Sequence, residues 1–100
     1  MSTHTLEGDD NRQVRLDGEW LNPEPSLKKR NHSPDGFNWG YGGSGPAQLA
    51  LAIIMALSED FDIKPLMDYQ VFKWSVINPL PQKAFKIQFE IADEEARIIT

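Results

Sequence analysis

The residues best equipped for chemistry fall in one run, Gly36-Phe37-Asn38-Trp39-Gly40-Tyr41-Gly42-Gly43-Ser44-Gly45-Pro46-Ala47-Gln48, which holds five of the seven glycines in a 100-residue chain. Within it, Gly40 to Gly45 fits the spacing G-x-G-x-x-G, which lets a main chain approach a pyrophosphate at a helix start. A dinucleotide fold also needs a second parallel strand ending in an acidic residue about 20 positions on. Around Asp62 the sequence instead predicts a short connection between two helices, so that reading fails on context. A Walker loop is excluded because no Lys-Ser or Lys-Thr pair follows the last glycine. What survives is general: the first turn of a helix leaves backbone N–H groups unpaired at the positive end of its dipole, and glycines let an acceptor come close. Ser44 and Gln48 can add side-chain hydrogen bonds, and Trp39 or Tyr41 a stacking face. The purely structural reading of the same letters is a sharp reversal allowed by Gly42, Gly43 and Gly45, a cap from Ser44 or Gly45, and core roles for Trp39 and Tyr41.

His32, Asp35 and either Ser33 or Ser44 supply the residue types of a hydrolytic triad, although no nucleophile elbow surrounds either serine. Metal binding would draw on His4, His32, Asp35, Asp60 and Asp62, and no pair among them has a metal-site spacing, so no metal is expected. Glu59-Asp60 with Asp62, and Asp93-Glu94-Glu95, read as solvated acidic faces. Lys28-Lys29-Arg30 reads as a charged edge strand that discourages sheet-to-sheet association.

The elements that must position these residues follow from periodicity. Residues 1–12 are polar with one large apolar residue, and predict a mobile tail ahead of a single α+β domain over 13–100. Gln13 to Leu16 and Glu19 to Leu21 alternate about Asp17-Gly18, the pattern of a tight hairpin. Ser26 to Asn31 and Phe37 to Tyr41 are read as two further strands around the turn Ser33-Pro34-Asp35-Gly36. Pro46 to Leu57 opens with a proline, is rich in alanine and leucine and is apolar nearly all round, which predicts a buried central helix. A second helix is predicted from Pro65, with Leu66, Tyr69, Phe72 and Val76 on one face and Asn78-Pro79 ending it. Phe85, Ile87, Phe89 and Ile91 alternate with polar residues as a half-buried strand does, and Asp93 to Ile99 is read as a short helical turn. The sum is an antiparallel sheet of about four to five strands with two helices packed on one face.

Bulk properties narrow the function classes. A chain of this length supports one core. Its formal charge of −5 disfavours general nucleic-acid or anionic-membrane binding. With no cysteine there are no disulfides or thiolate chemistry, a composition compatible with a reducing cytoplasm. The longest apolar run, Leu49 to Leu57, is about half a bilayer span, and the N-terminus lacks the pattern of a signal peptide. The expected setting is soluble and cytoplasmic.

The string from Asn31 to Ile53, with Tyr69-Gln70-Val71-Phe72-Lys73 and Leu80-Pro81 downstream and an opening Val14-x-Leu16-Asp17-Gly18-x-x-Leu21, resembles the DUF6166 family of small proteins over about residues 13 to 91. The resemblance implies occurrence among bacteria, archaea, plasmids and phages, and it carries no established activity. Where that family tends to carry a tryptophan this chain has Phe85, and Ile91 to Thr100 lacks an expected aromatic.

These readings converge on a non-enzymatic binding module without a cofactor. Its loop from Asn31 to Gln48 is expected to recognise an anionic or nucleotide-like ligand through His32, Asp35, Trp39, Tyr41, Gly42, Gly43, Ser44, Gly45 and Gln48. The alternatives are a protein-interaction module or inhibitor, acting on a host protein through exposed aromatics and acidic surface, and a small hydrolase. Homo-oligomerisation is left open.

Overall fold

The computed structural model describes residues 2–100. Five antiparallel strands form an open sheet in the order β3-β2-β1-β4-β5, where β1 is Ser2–Gly8, β2 Val14–Leu16, β3 Glu19–Trp20, β4 Phe85–Ala92 and β5 Glu95–Ile98. Between β3 and β4 the chain forms helices α1 (Glu24–Lys29), α2 (Ser44–Leu57) and α3 (Tyr69–Phe72), the last running on as a π-helical turn over Lys73–Ile77. The α+β class and the antiparallel sheet are as the sequence indicates, with three helices rather than two.

The centre of the sheet is the largest correction. Residues 2–8, inside the segment read as a mobile tail, form β1, which pairs with β2 through Leu6↔Leu16 and with β4 through Leu6↔Ile87. Backbone pairing on both edges offsets an ordering entropy that side-chain composition alone could not. Its inner face is furnished by partners from elsewhere: His4 lies against Phe89 with ring centroids 5.4 Å apart, and Gly8 leaves room for the rings of Trp39 and Phe85.

Three other predicted elements change type. The segment Ser26 to Asn31 belongs largely to α1 rather than a strand, with Pro25 in its first turn, Glu24 at its positive end and Lys28 and Lys29 at its negative end. Phe37 to Tyr41 is an irregular loop, with Gly36 before it and Gly40 within it both at positive φ. The end of the chain is a hairpin, because Asp93 and Glu94 turn it at φ 53° and 61° and send Glu95–Ile98 back along β4. Pro65 does not open α3, which starts after Asp68, whose Oδ1 accepts from the Gln70 N–H at 2.8 Å.

The hairpin at Asp17-Gly18, the central helix and the strand through Phe85 to Ile91 form as predicted, with Asp17 and Gly18 at φ 52° and 85°. Every residue of α2 from Gly45 to Ile54 is buried. Leu49, Ile53 and Ile54 meet Leu6, Val14 and Phe89 of the sheet and Phe72, Val76 and Ile77 of the third helical segment in one core. Phe72 and Phe89 pack edge to face at 5.2 Å. Arg15, Lys86 and Gln88 on the opposite face of the sheet are exposed. No helix among the described residues is long and apolar enough to cross a membrane.

Candidate functional site

The start of α2 is where the loop, α1 and the π turn meet. Gly43 is its extended N-cap residue and no side chain caps it, while the first turn contains no acidic residue. The first intrahelical bond there runs from the Ala47 N–H to the Gly43 carbonyl at 3.1 Å.

Gln48, one turn in, is fully buried and uses its whole amide. Its Oε1 accepts from the backbone N–H groups of His32 (2.7 Å) and Ser33 (3.1 Å), and its Nε2 donates to Ser26 Oγ (2.9 Å) and the Arg30 carbonyl (3.1 Å). Ser26 Oγ donates in turn to the Pro23 carbonyl at 2.8 Å. A buried amide with two donors and an acceptor that takes two bonds has nothing left for a ligand. Gln48 therefore fixes α1 and residues 30–33 to the helix rather than facing outward.

Trp39 is also an anchor. It is fully buried, donates from Nε1 to the Lys83 carbonyl at 2.9 Å and packs edge to face on Phe85 at 5.0 Å. The Arg12 guanidinium lies 4.6 Å from its ring centroid. The next residue, Gly40, donates from its backbone N–H to the Ile77 carbonyl at 3.0 Å, which ties the loop to the π turn.

The remaining glycines serve close approach by the chain's own aromatics. The Trp74 indole occupies the place a β-carbon of Gly42 would take, and the Tyr41 ring that of Gly43. Both rings stay partly open to solvent, Trp74 at 56% and Tyr41 at 38% of their surface. Ser44, the first residue of α2, is exposed.

The π turn adds a residue that the sequence reading missed. Lys73 is only 9% exposed, yet no described carboxylate lies within ion-pair distance of it and its amine makes no hydrogen bond. No buried side-chain nitrogen or oxygen lacks a partner, so the amine itself reaches solvent while its stem is covered. It lies 4.6 Å from the centroid of Trp74, whose ring rests on Gly42. A π turn of this kind re-aims side chains within a helix. The only signal for it in the sequence is a lysine one turn after Tyr69, set between Phe72 and Trp74.

His32 lines the same region and its Nε2 meets the Tyr69 hydroxyl at 2.9 Å. Its proton affinity is lowered from the usual imidazole value, first by burial and then by the positive charges of Arg30 and Lys73. On a chain of net charge −5, Arg30 and Lys73 thus set positive charge near His32.

Of the nine residues expected at the site, His32, Tyr41, Gly42, Gly43, Ser44, Gly45 and Gln48 come together here. Asp35 lies apart, on a groove of about 490 Å³ shared with Arg12, Trp20 and Phe37. Trp39 lies behind the loop, and neither histidine is hydrogen-bonded to a serine hydroxyl. Among the described residues no group of three or more His, Asp or Glu is arranged to hold a metal.

An open antiparallel sheet with helices against its inner face, and a glycine-rich loop leading into the central one, defines a small α+β domain. The chain belongs to DUF6166, a family of unknown function, whose model matches residues 4–97. Comparison with curated proteins and with solved structures gives no match.

Proposed function

We propose that the chain is a non-enzymatic binding module that takes an anionic, nucleotide-like ligand beside the start of α2. The observation that carries this reading is Lys73, a largely buried lysine whose amine reaches solvent with no carboxylate to balance it. With its stem covered and its amine at the surface, Lys73 presents an unbalanced positive charge that a ligand anion would meet. Arg30 adds a second cation without an ion-pair partner among the described residues, and the uncapped first turn of α2 adds backbone N–H groups. Trp74 and Tyr41 supply aromatic surface against which a base can lie. A non-enzymatic role is favoured because His32 Nε2 is already committed to Tyr69 and no serine is bonded to it.

The test is thermal stability against a panel of sulfate, phosphate, carboxylates and nucleotides. One member should stabilise the protein by about 2.7 kcal/mol at a hundredfold excess over its dissociation constant. Lys73→Met should fold and lose that response. A panel without effect on the parent protein removes the reading.

A second reading rests on the same exposed rings. Trp74 and Val71 are exposed three residues apart and Tyr41 adjoins Trp74 through Gly42 and Gly43, exposed aromatics of the kind that anchor protein partners. In that case Trp74→Ala would abolish association with a protein partner while leaving every small-ligand response flat.

A further inference from the structure

β5 is an outer strand of the sheet, and its far edge faces no other strand among the described residues. The direction of its backbone groups follows from its pairing with β4. The Gln88 carbonyl accepts from the Ile99 N–H at 2.8 Å and the Gln88 N–H donates to the Thr100 carbonyl at 3.0 Å, and the bonds of an antiparallel ladder recur at every second residue. With Glu90 opposite Arg97 and Ala92 opposite Glu95, it is Glu95 and Arg97 that bond inward to β4. Ala96, between them, points its N–H and carbonyl away from the sheet. Side chains alternate across the strand as well: Ala96 and Ile98 pack against the core, while Glu95 and Arg97 stand exposed on the other face.

Proteins ordinarily guard a sheet edge with proline, shortness or charge. The opposite edge, β3, is two residues long. β5 has four residues, neither proline nor glycine, and two charges of opposite sign. Laid antiparallel to a second copy of itself about Ala96, the strand sets Ala96 opposite Ala96, where the two outward-pointing backbones exchange both hydrogen bonds. The same two-fold axis sets Glu95 opposite Arg97 twice, once on each side of it. Both charged pairs fall at positions without ladder bonds, where opposed side chains come closest. A pairing about Glu95 or about Arg97 would instead oppose like charges and meet backbone groups already used by β4. The charges that turn other strands away are therefore matched to this one. Arg97 already holds Glu90 of β4, so an incoming Glu95 extends an existing ion pair. Beside the strand, Val71 and Ser75 of the third helical segment line a cleft of about 410 Å³ with Glu95, Ala96 and Arg97, and the exposed Val71 gives a neighbouring strand apolar surface to cover.

We infer that β5 joins a second copy of this chain edge to edge about Ala96, extending the two sheets into one continuous antiparallel sheet across a two-fold axis. This contact does not depend on what binds at the start of α2.

Native mass spectrometry and light scattering of the full chain at rising concentration read the association. The expected product is a dimer of twice the 11.4 kDa chain mass. Glu95→Arg and Arg97→Glu each oppose like charges at both pairs and should raise the dissociation constant at least about tenfold. Mixed with one another, the two variants should form a one-to-one heterodimer, because two arginines of one strand then meet two glutamates of the other. Such rescue is closed to a variant that has merely lost its fold. In the parent protein, hydrogen exchange at the Ala96 amide should slow as concentration rises, while the Arg97 amide, bonded to β4, is protected throughout. A monomer at every concentration up to about 1 mM overturns the inference. So does a dimer that ignores both substitutions or leaves the Ala96 amide exchanging freely, since it uses another face. Open-ended chains of copies overturn it too, because they join β5 to the unlike edge β3.

Discussion

The two ends of α2 are finished in opposite ways. At the C-terminal end Ser58 donates to the Ile54 carbonyl from both its backbone N–H (3.0 Å) and its hydroxyl (2.6 Å), and that hydroxyl accepts from the Leu66 N–H at 2.9 Å. At the N-terminal end no side chain caps Gly43, and the nearby ionisable groups are Arg30, His32 and Lys73. Charge runs against the helix dipole at both ends, with Glu59 and Asp60 just past the negative end and cations at the positive one. Asp60 is absorbed locally, since its Oδ1 accepts from the Ile63 N–H at 3.2 Å. Among the described residues Arg30 and Lys73 have no ion-pair partner. One end is completed by its own chain, and at the other no side chain caps the helix.

The strongest way to break this contrast is to remove what holds the open end in shape. Gln48→Leu preserves volume but strips the His32 and Ser33 N–H groups of their acceptor in a part-buried setting. Each orphaned donor costs about 1–3 kcal/mol, so a loss of about 3 kcal/mol is expected in denaturant unfolding, with the His32 ring resonances broadened as residues 30–33 loosen. A loss well below 1 kcal/mol would mean that this loop does not depend on α2 for its position.

The closed end gives a smaller effect. Ser58→Ala removes the hydroxyl that links the Ile54 carbonyl to the Leu66 N–H, and should cost about 1–2 kcal/mol. It should leave any anion response of the opposite end untouched. If it abolished that response, the ends could not be treated as independent.

How legible each end was follows from what positions it. The central helix, the Asp17-Gly18 hairpin and β4 depend on patterns carried within one segment, and a sequence reading recovers them. β1 does not: of His4, Leu6 and Gly8 on its inner face only Leu6 is a large apolar residue, and the space over Gly8 is filled by Trp39 from a distant loop. The six-residue α1 carries a first-turn proline and charges matched to its dipole, but its burial centres on Ser26, whose partner is Gln48 of another helix. The C-terminal hairpin turns at Asp93 and Glu94 without a glycine to announce it. At the candidate site, the glycine-rich helix start is visible from spacing alone, whereas the burial of Trp39, Gln48 and Lys73 arises from contacts between segments. Gly42 and Gly43 make room for Trp74 and Tyr41, a packing reason that their spacing does not show.

The smallest change sharpens the contrast most. Ser44 is exposed at the first position of α2, so Ser44→Asp puts a carboxylate at the positive end of the helix with little to disturb. It should raise stability by about 0.5 kcal/mol in low salt, measured by denaturant unfolding, and the gain should fade as salt is added. The same carboxylate occupies the field that an oxyanion would use. Sulfate should therefore stabilise the parent protein but not the variant. If the open end had only a structural purpose, the variant would gain the same few tenths of a kcal/mol, but sulfate would act on neither protein; the paired measurement separates a helix that lacks a cap from one that keeps its place free for a ligand.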